Sequence, residues 1–137
     1  MKRLVGHWMA RSILAAKPDE PVYAGIELMA ERRLRHVLIQ DGEEVLGIVS
    51  NRDIVRAALI HPERKLDLHS CTLRDIMTPG PLVETTTEAT LGDASKLMFD
   101  HKVSALPVRE RGRLQGIITS EDVLAAAGTE LGMTADE

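Results

Sequence analysis

The chain has 137 residues, 44% hydrophobic and 28% charged, with a net charge of −4 and a pI of about 5.7. That is the composition of one soluble globular body; its acidic balance repels phosphate backbones and Trp8, Tyr23 and Phe99 are too few to stack bases, so nucleic acid is not an expected partner. No run of 18 apolar residues offers a membrane span, the basic start Met1–Trp8 lacks a signal-peptide core, and the lone Cys71 rules out an intramolecular disulfide and suits a reducing cytoplasm.

The first predicted element is a short strand at the apolar pair Ile13-Leu14. From Pro21 to Arg33 the apolar residues Val22, Ile26 and Met29 recur at helical spacing, predicting an amphipathic helix with Pro21 in its first turn. His36-Val37-Leu38-Ile39 and Val45-Leu46-Gly47-Ile48-Val49 flank the turn signal Asp41-Gly42 and predict a β-hairpin. A helix over 52–59 follows. Residues 61–72, charged from His61 and bracketed by Pro62 and Ser70, read as an exposed linker. The order then repeats: a strand at Leu82-Val83, a helix carrying Leu91, Ala94 and Met98, a hairpin of 105–108 and 114–118 around Glu110-Arg111-Gly112, and a helix over 121–127 that Gly128 stops as a C′ residue. Residues 129–137 are expected to be a loosely held tail.

The repetition is exact in register. Residues 21–58 align without a gap onto 90–127, and Leu28/Leu97, Met29/Met98, Gly47/Gly116, Ile48/Ile117, Asp53/Asp122, Ala57/Ala126 and Ala58/Ala127 are identical, where chance gives about two or three identities. Each copy reads strand-helix-strand-strand-helix. A strand-helix-strand step needs a parallel crossover and the hairpin an antiparallel partner, so the fold class is α/β (α+β) with a small mixed three-stranded sheet per copy. Some 60 residues bury only about 60% of their unfolded surface, so two copies related by a pseudo-twofold are expected to share a core. The expected boundaries are 5–60 and 73–128.

Ser50-x-x-Asp53 and Thr119-x-x-Asp122 each place a hydroxyl and an acid where a capping box would satisfy a helix start, which is also where N–H groups can meet an anion. Arg35 and His36 follow the end of a helix, where cations offset its dipole; the second copy has Ser104-Ala105 there. The five histidines lack zinc spacing, and no phosphate loop, nucleophile elbow or dinucleotide fingerprint occurs, so neither a metal site nor an enzyme is expected.

The runs Gly47–Asp53 and Gly116–Asp122, with Asp75-Ile76-Met77-Thr78 and Val103-Ser104-Ala105-Leu106-Pro107-Val108, resemble those of tandem cystathionine-β-synthase (CBS) domains, the arrangement called a Bateman module. The first copy departs from the pattern at Gly6-His7-Trp8-Met9-Ala10 and at Leu38. The resemblance implies a non-catalytic regulatory module of signal transduction or energy sensing. It binds an adenine nucleotide or related adenosyl ligand in clefts between the repeats, has no catalytic cofactor, modulates a protein partner and pairs into a homodimeric disc. It implies ribose contacts from Asp53, Asp122, Ser50 and Thr119, and phosphate contacts from Arg35, His36, Arg52 and Ser104. Cleft walls would come from Ile13, Leu14, Leu82, Val83, Val37, Ala105 and Pro107. Arg35 and His36 would face Asp122, and Ser104 and Ala105 would face Asp53. The alternative is a structural or dimerisation module that binds no nucleotide.

Overall fold

The computed structural model describes residues 3–60, 67–130 and 132. Linker residues 61–66 and tail residues 131 and 133–137 lie outside the described residues. In chain order the elements are α1 (Val5–Trp8), β1 (Ala15–Ala16), α2 (Val22–Arg32), β2 (His36–Asp41), β3 (Glu44–Ser50), α3 (Asn51–Ile60), α4 (Leu73–Ile76), β4 (Thr78–Pro79), β5 (Thr85–Thr86), α5 (Leu91–His101), β6 (Ala105–Glu110), β7 (Arg113–Thr119) and α6 (Ser120–Glu130). They form two compact units, residues 13–82 in one and the segments before and after them in the other. The units cut across the repeat: the segment opening the first copy packs with the second hairpin, and the segment opening the second copy packs with the first hairpin.

In the unit of residues 13–82 the sheet order is β1-β2-β3-β4, with β1 parallel to β2 and the later pairs antiparallel. The other unit has the order β5-β6-β7, again one parallel and one antiparallel pair, and Ala10 bridges Ile117 where β4 lies in its counterpart. The expected mixed three-stranded sheet is therefore present in each, and one gains a short fourth strand from the opening segment of the other repeat.

The short strands lie two and three residues beyond the apolar pairs that predicted them. Ala15 and Ala16 pair with Leu38 and Ile39, and Thr85 and Thr86 pair with Val108 and Arg109. Leu14 and Val83 instead pack against the two cores, so their apolarity serves burial rather than strand pairing. On α2 the buried stripe is Val22, Gly25 and Met29, with Gly25 in place of Ile26. The cause is Leu73 of α4: a Cβ at Gly25 would lie 2.9 Å from its Cδ2. Pro21 is the N-cap of α2, not part of its first turn. The helix's first donors find backbone acceptors in the linker, with Val22 N–H bonded to Cys71 O at 2.8 Å and Tyr23 N–H to Leu68 O at 2.9 Å. The matching donor of α5, Leu91 N–H, bonds Arg3 O at 2.9 Å. Gly128 does not stop the last helix. It is buried inside α6, which continues through Thr129 and Glu130, where the Thr129 hydroxyl donates to Ala125 O at 3.0 Å and Glu130 pairs with Arg3 at 3.4 Å.

One core gathers Ala16, Met29, Val37, Ile39, Val49 and Leu73; the other gathers Val5, Leu91, Ala94, Met98, Leu106, Val108 and Ile118 among others. Val5 and Leu73, each from an opening segment, are fully buried.

Candidate functional site

The glycines of the repeated run are explained by close approach of backbone. A Cβ on Gly47 would sit 2.5 Å from Thr78 O and 2.8 Å from Met77 Sδ; one on Gly116 would collide with Ala10 O and approach Met9 Sδ to 3.1 Å. Only glycine admits the crossing segment this close. One residue before each glycine the ladder shifts register, leaving Leu46 and Gln115 as the extra residues of matching β-bulges. The structural counterparts across the crossing are Met77-Thr78 and Met9-Ala10. Hence His7-Trp8-Met9-Ala10 occupies the place of Asp75-Ile76-Met77-Thr78.

Past the glycine, β3 runs directly into α3 at Ser50, and β7 into α6 at Thr119. The expected capping box is complete at the first junction, and at the second the acid takes up the matching donors. Ser50 N–H and hydroxyl donate to Asp53 Oδ2 at 2.7 and 3.0 Å, and Asp53 N–H returns to Ser50 Oγ at 3.1 Å. In the second copy Thr119 N–H and hydroxyl donate to Asp122 Oδ2 at 2.8 and 3.2 Å. In each acid the Oδ2 atom is thus committed to the helix start, and Oδ1 is the oxygen to which a further donor can turn.

Around the first junction, cross-strand pairing sets His36 opposite Ser50, and Asn51 N–H bonds Arg35 O at 3.0 Å. Arg35, His36, Ser50, Arg52 and Asp53 therefore share the open end of one hairpin. The Thr78 hydroxyl stands 3.5 Å from Asp53 Oδ1. Sequence reasoning assigned Thr78 no site role; its signal was its place in the Asp75-Ile76-Met77-Thr78 run. At the second junction Ala105 lies opposite Thr119 and Ser120 N–H bonds Ser104 O at 2.9 Å. Glu121 stands where the first copy has Arg52, and Ala10 where it has Thr78. The first junction carries the basic residues Arg35, His36 and Arg52; at the matching positions the second has Ser104, Ala105 and Glu121. Burial raises the Asp122 carboxyl above its ordinary pKa, with neighbouring Glu121 adding to the effect and the two Thr119 hydrogen bonds opposing it.

The expected wall residues separate by strand alternation. Val37 is fully buried in the core with Ile39, so it is a packing residue and not an accessible wall; His36 and Leu38 take the opposite face of β2. Pro107 is also fully buried, on the face of β6 opposite the core residues Leu106 and Val108. Ile13, Leu14, Leu82, Val83 and Ala105 are half-buried. Among the described residues no three His, Cys, Asp or Glu side chains gather as a metal site would require.

The CBS domain family matches this chain twice, at residues 5–60 and 73–128. The chain is a tandem pair of CBS domains. A curated relative, inosine-5′-monophosphate dehydrogenase of Staphylococcus haemolyticus, is 34% identical over 109 residues, covering 77% of this chain and 20% of the relative. The CBS pair thus spans about a fifth of the length of the curated relatives it matches. Among solved structures, a putative signal-transduction protein with CBS domains from Burkholderia ambifaria is 28% identical with a TM-score of 0.79, covering 91% of this chain and 89% of that one. CBSX2 in complex with AMP is 27% identical with a TM-score of 0.72, covering 93% and 97%.

Proposed function

We propose that this CBS pair is a regulatory module that binds an adenine nucleotide or related adenosyl ligand and modulates a protein partner in the cytoplasm without catalysing a reaction. The observation that carries this reading is the pair of strand-to-helix junctions, each committing one carboxylate oxygen to the helix start and turning the other to further donors, which in Asp53 include the Thr78 hydroxyl and in this reading a ribose hydroxyl. The likeness to the AMP-bound CBSX2 supports it. Asp53 and Asp122 accept from the ribose diol, with Ser50 and Thr119 beside them. Arg35, His36 and Arg52 meet phosphate, where the planar guanidinium matches phosphate oxygens, and Ser104 is the weaker counterpart. Regulation then requires the ligand to favour one of two states of the module. Large exposed apolar side chains, Phe99 at 83% and Leu124 at 71%, favour self-association as a homodimer.

Calorimetry with AMP, ADP, ATP, S-adenosylmethionine and NADH tests the reading: at least one should bind, and Asp53→Ala or Asp122→Ala should abolish an event. Arg35→Ala should weaken ATP more than adenosine, and whichever Asp variant loses the same event identifies the acid that shares a ligand with Arg35. No heat from the whole panel would leave a structural module that binds none of them.

A further inference from the structure

The two hairpin tips hold the same place in the repeat and differ in charge. The first reads Asp41-Gly42-Glu43-Glu44, the second Glu110-Arg111-Gly112-Arg113. All of these residues are exposed, and a Cβ at Gly42 or Gly112 would meet nothing within 4 Å, so packing does not choose the side chains here. Arg111 is held at φ +52° and Gly112 at +77°, in the left-handed region, where the first copy has Gly42 at +63°. A two-residue turn with both φ values positive favours Asn, Asp or Gly at its first position, so arginine sits there against local preference. Arg109 braces the turn: its Nε donates to Glu84 and its Nη1 to Gly112 O at 3.4 Å. Beyond that neutral pair, Arg111 and Arg113 outweigh Glu110, and neither pairs with a carboxylate among the described residues. Glu110, Arg111, Arg113 and Gln115 line an open hollow of about 620 Å³. The backbone beside it is open too. Along β3, β4 is followed by Gly80, whose N–H bonds Leu46 O at 2.8 Å; along β7 the pairing ends at the bridge of Ala10 to Ile117. Among the described residues, the edge of β7 from Arg113 to Gln115 therefore carries no further strand.

We propose that this edge docks an extended acidic segment of a protein partner, which adds a strand along Arg113–Gln115 and sets its carboxylates on Arg111 and Arg113. This rests on the partner-modulation reading above and names the surface and the partner's chemistry. Strand addition draws main-chain hydrogen bonds from the open edge, and the guanidinium forks select carboxylate side chains. The lining residues include no aromatic ring to stack a base, and Glu110 repels a continuous run of phosphates, so the hollow fits a peptide better than nucleic acid or an anionic membrane. The chain's net charge of −4 opposes non-specific capture of an acidic peptide, so affinity for one has to come from a local site.

The test titrates the full chain into a fluorescently labelled hexaglutamate peptide at low salt and follows anisotropy, with a hexaglutamine peptide and phosphatidylserine vesicles as parallel probes. Arg111→Gly suits the left-handed turn and so keeps the fold, and Lys17→Gln removes an exposed cation elsewhere on the chain. Docking at the edge predicts that hexaglutamate binds and hexaglutamine does not. Arg111→Gly or Arg113→Gln should weaken hexaglutamate several-fold, Glu110→Gln should tighten it, Lys17→Gln should leave it unchanged, and added salt should reduce it. No binding of hexaglutamate by the native chain would overturn the proposal. So would an equal loss in Lys17→Gln, which would reduce the effect to bulk charge, or Arg111-dependent sedimentation with vesicles in place of peptide binding, which would make the edge a membrane contact. Each of these results leaves the nucleotide reading to its own calorimetric titration.

Discussion

At the scale of single residues, the Ser/Thr-x-x-Asp run binds the helix start through one set of atoms, and the proposed function assigns the ligand to others. Capping uses Oδ2 and the hydroxyl, so Ser50→Ala should cost about 1 kcal/mol in chemical denaturation even without ligand. A loss near zero would mean that Ser50 is retained for the ligand alone. Asp122 carries a further signature. Its folded pKa is raised by burial, so between the ordinary carboxyl pKa and the raised value the folded protein holds more protons than the unfolded chain. Stability then falls as pH rises through that window, and the charged form is the costly one. Asp122→Asn should lose this slope: its stability relative to the native chain should improve as pH rises from about 4, the unfolded carboxyl range, in denaturant titrations at stepped pH. Parallel pH profiles would contradict the assignment. The acids and hydroxyls of the junctions were legible in the sequence because capping chemistry has fixed spacing. Thr78 was not, because it reaches Asp53 from 25 residues away through a fold contact.

At the scale of elements, each hairpin is completed by a segment from the other repeat, and the glycines mark where it crosses. Gly47→Ala drives a Cβ into Thr78 O and Met77 Sδ, so it should destabilise by roughly 1–3 kcal/mol or more, the range for overpacking. Leu73→Ala, which empties a fully buried position, should cost about 2–5 kcal/mol. Thermal and urea unfolding measure both, and native-like stability in either variant would refute the packing described. Helices and hairpins were readable from periodicity and turn signals because both are local patterns. The short strands were displaced by two and three residues because Leu14 and Val83 advertise burial and not pairing. The extension of α6 past Gly128 was missed because glycine's usual role as a helix stop is overridden where the residue is buried within the helix. Val37 was misplaced for a related reason: apolarity does not say which face of a strand a residue takes.

At the scale of the whole molecule, duplication accounts for the architecture and divergence accounts for its chemistry. The two copies keep the glycine, the bulge, the cap and the acid, because these hold backbone together. They differ at the junctions' other positions: Arg35, His36, Arg52 and Thr78 in one, Ser104, Ala105, Glu121 and Ala10 in the other. The proposed nucleotide binding therefore predicts two events of unequal strength, and the sequence carried the inequality of the junctions because it is written in residue types at repeat-equivalent positions. The most direct measurement is a calorimetric titration of AMP and ATP into the native chain, Asp53→Ala and Asp122→Ala under one buffer condition. Unequal junctions predict that one substitution removes the tighter event and the other leaves it. Equal loss from both substitutions, or identical isotherms for all three proteins, would contradict the account.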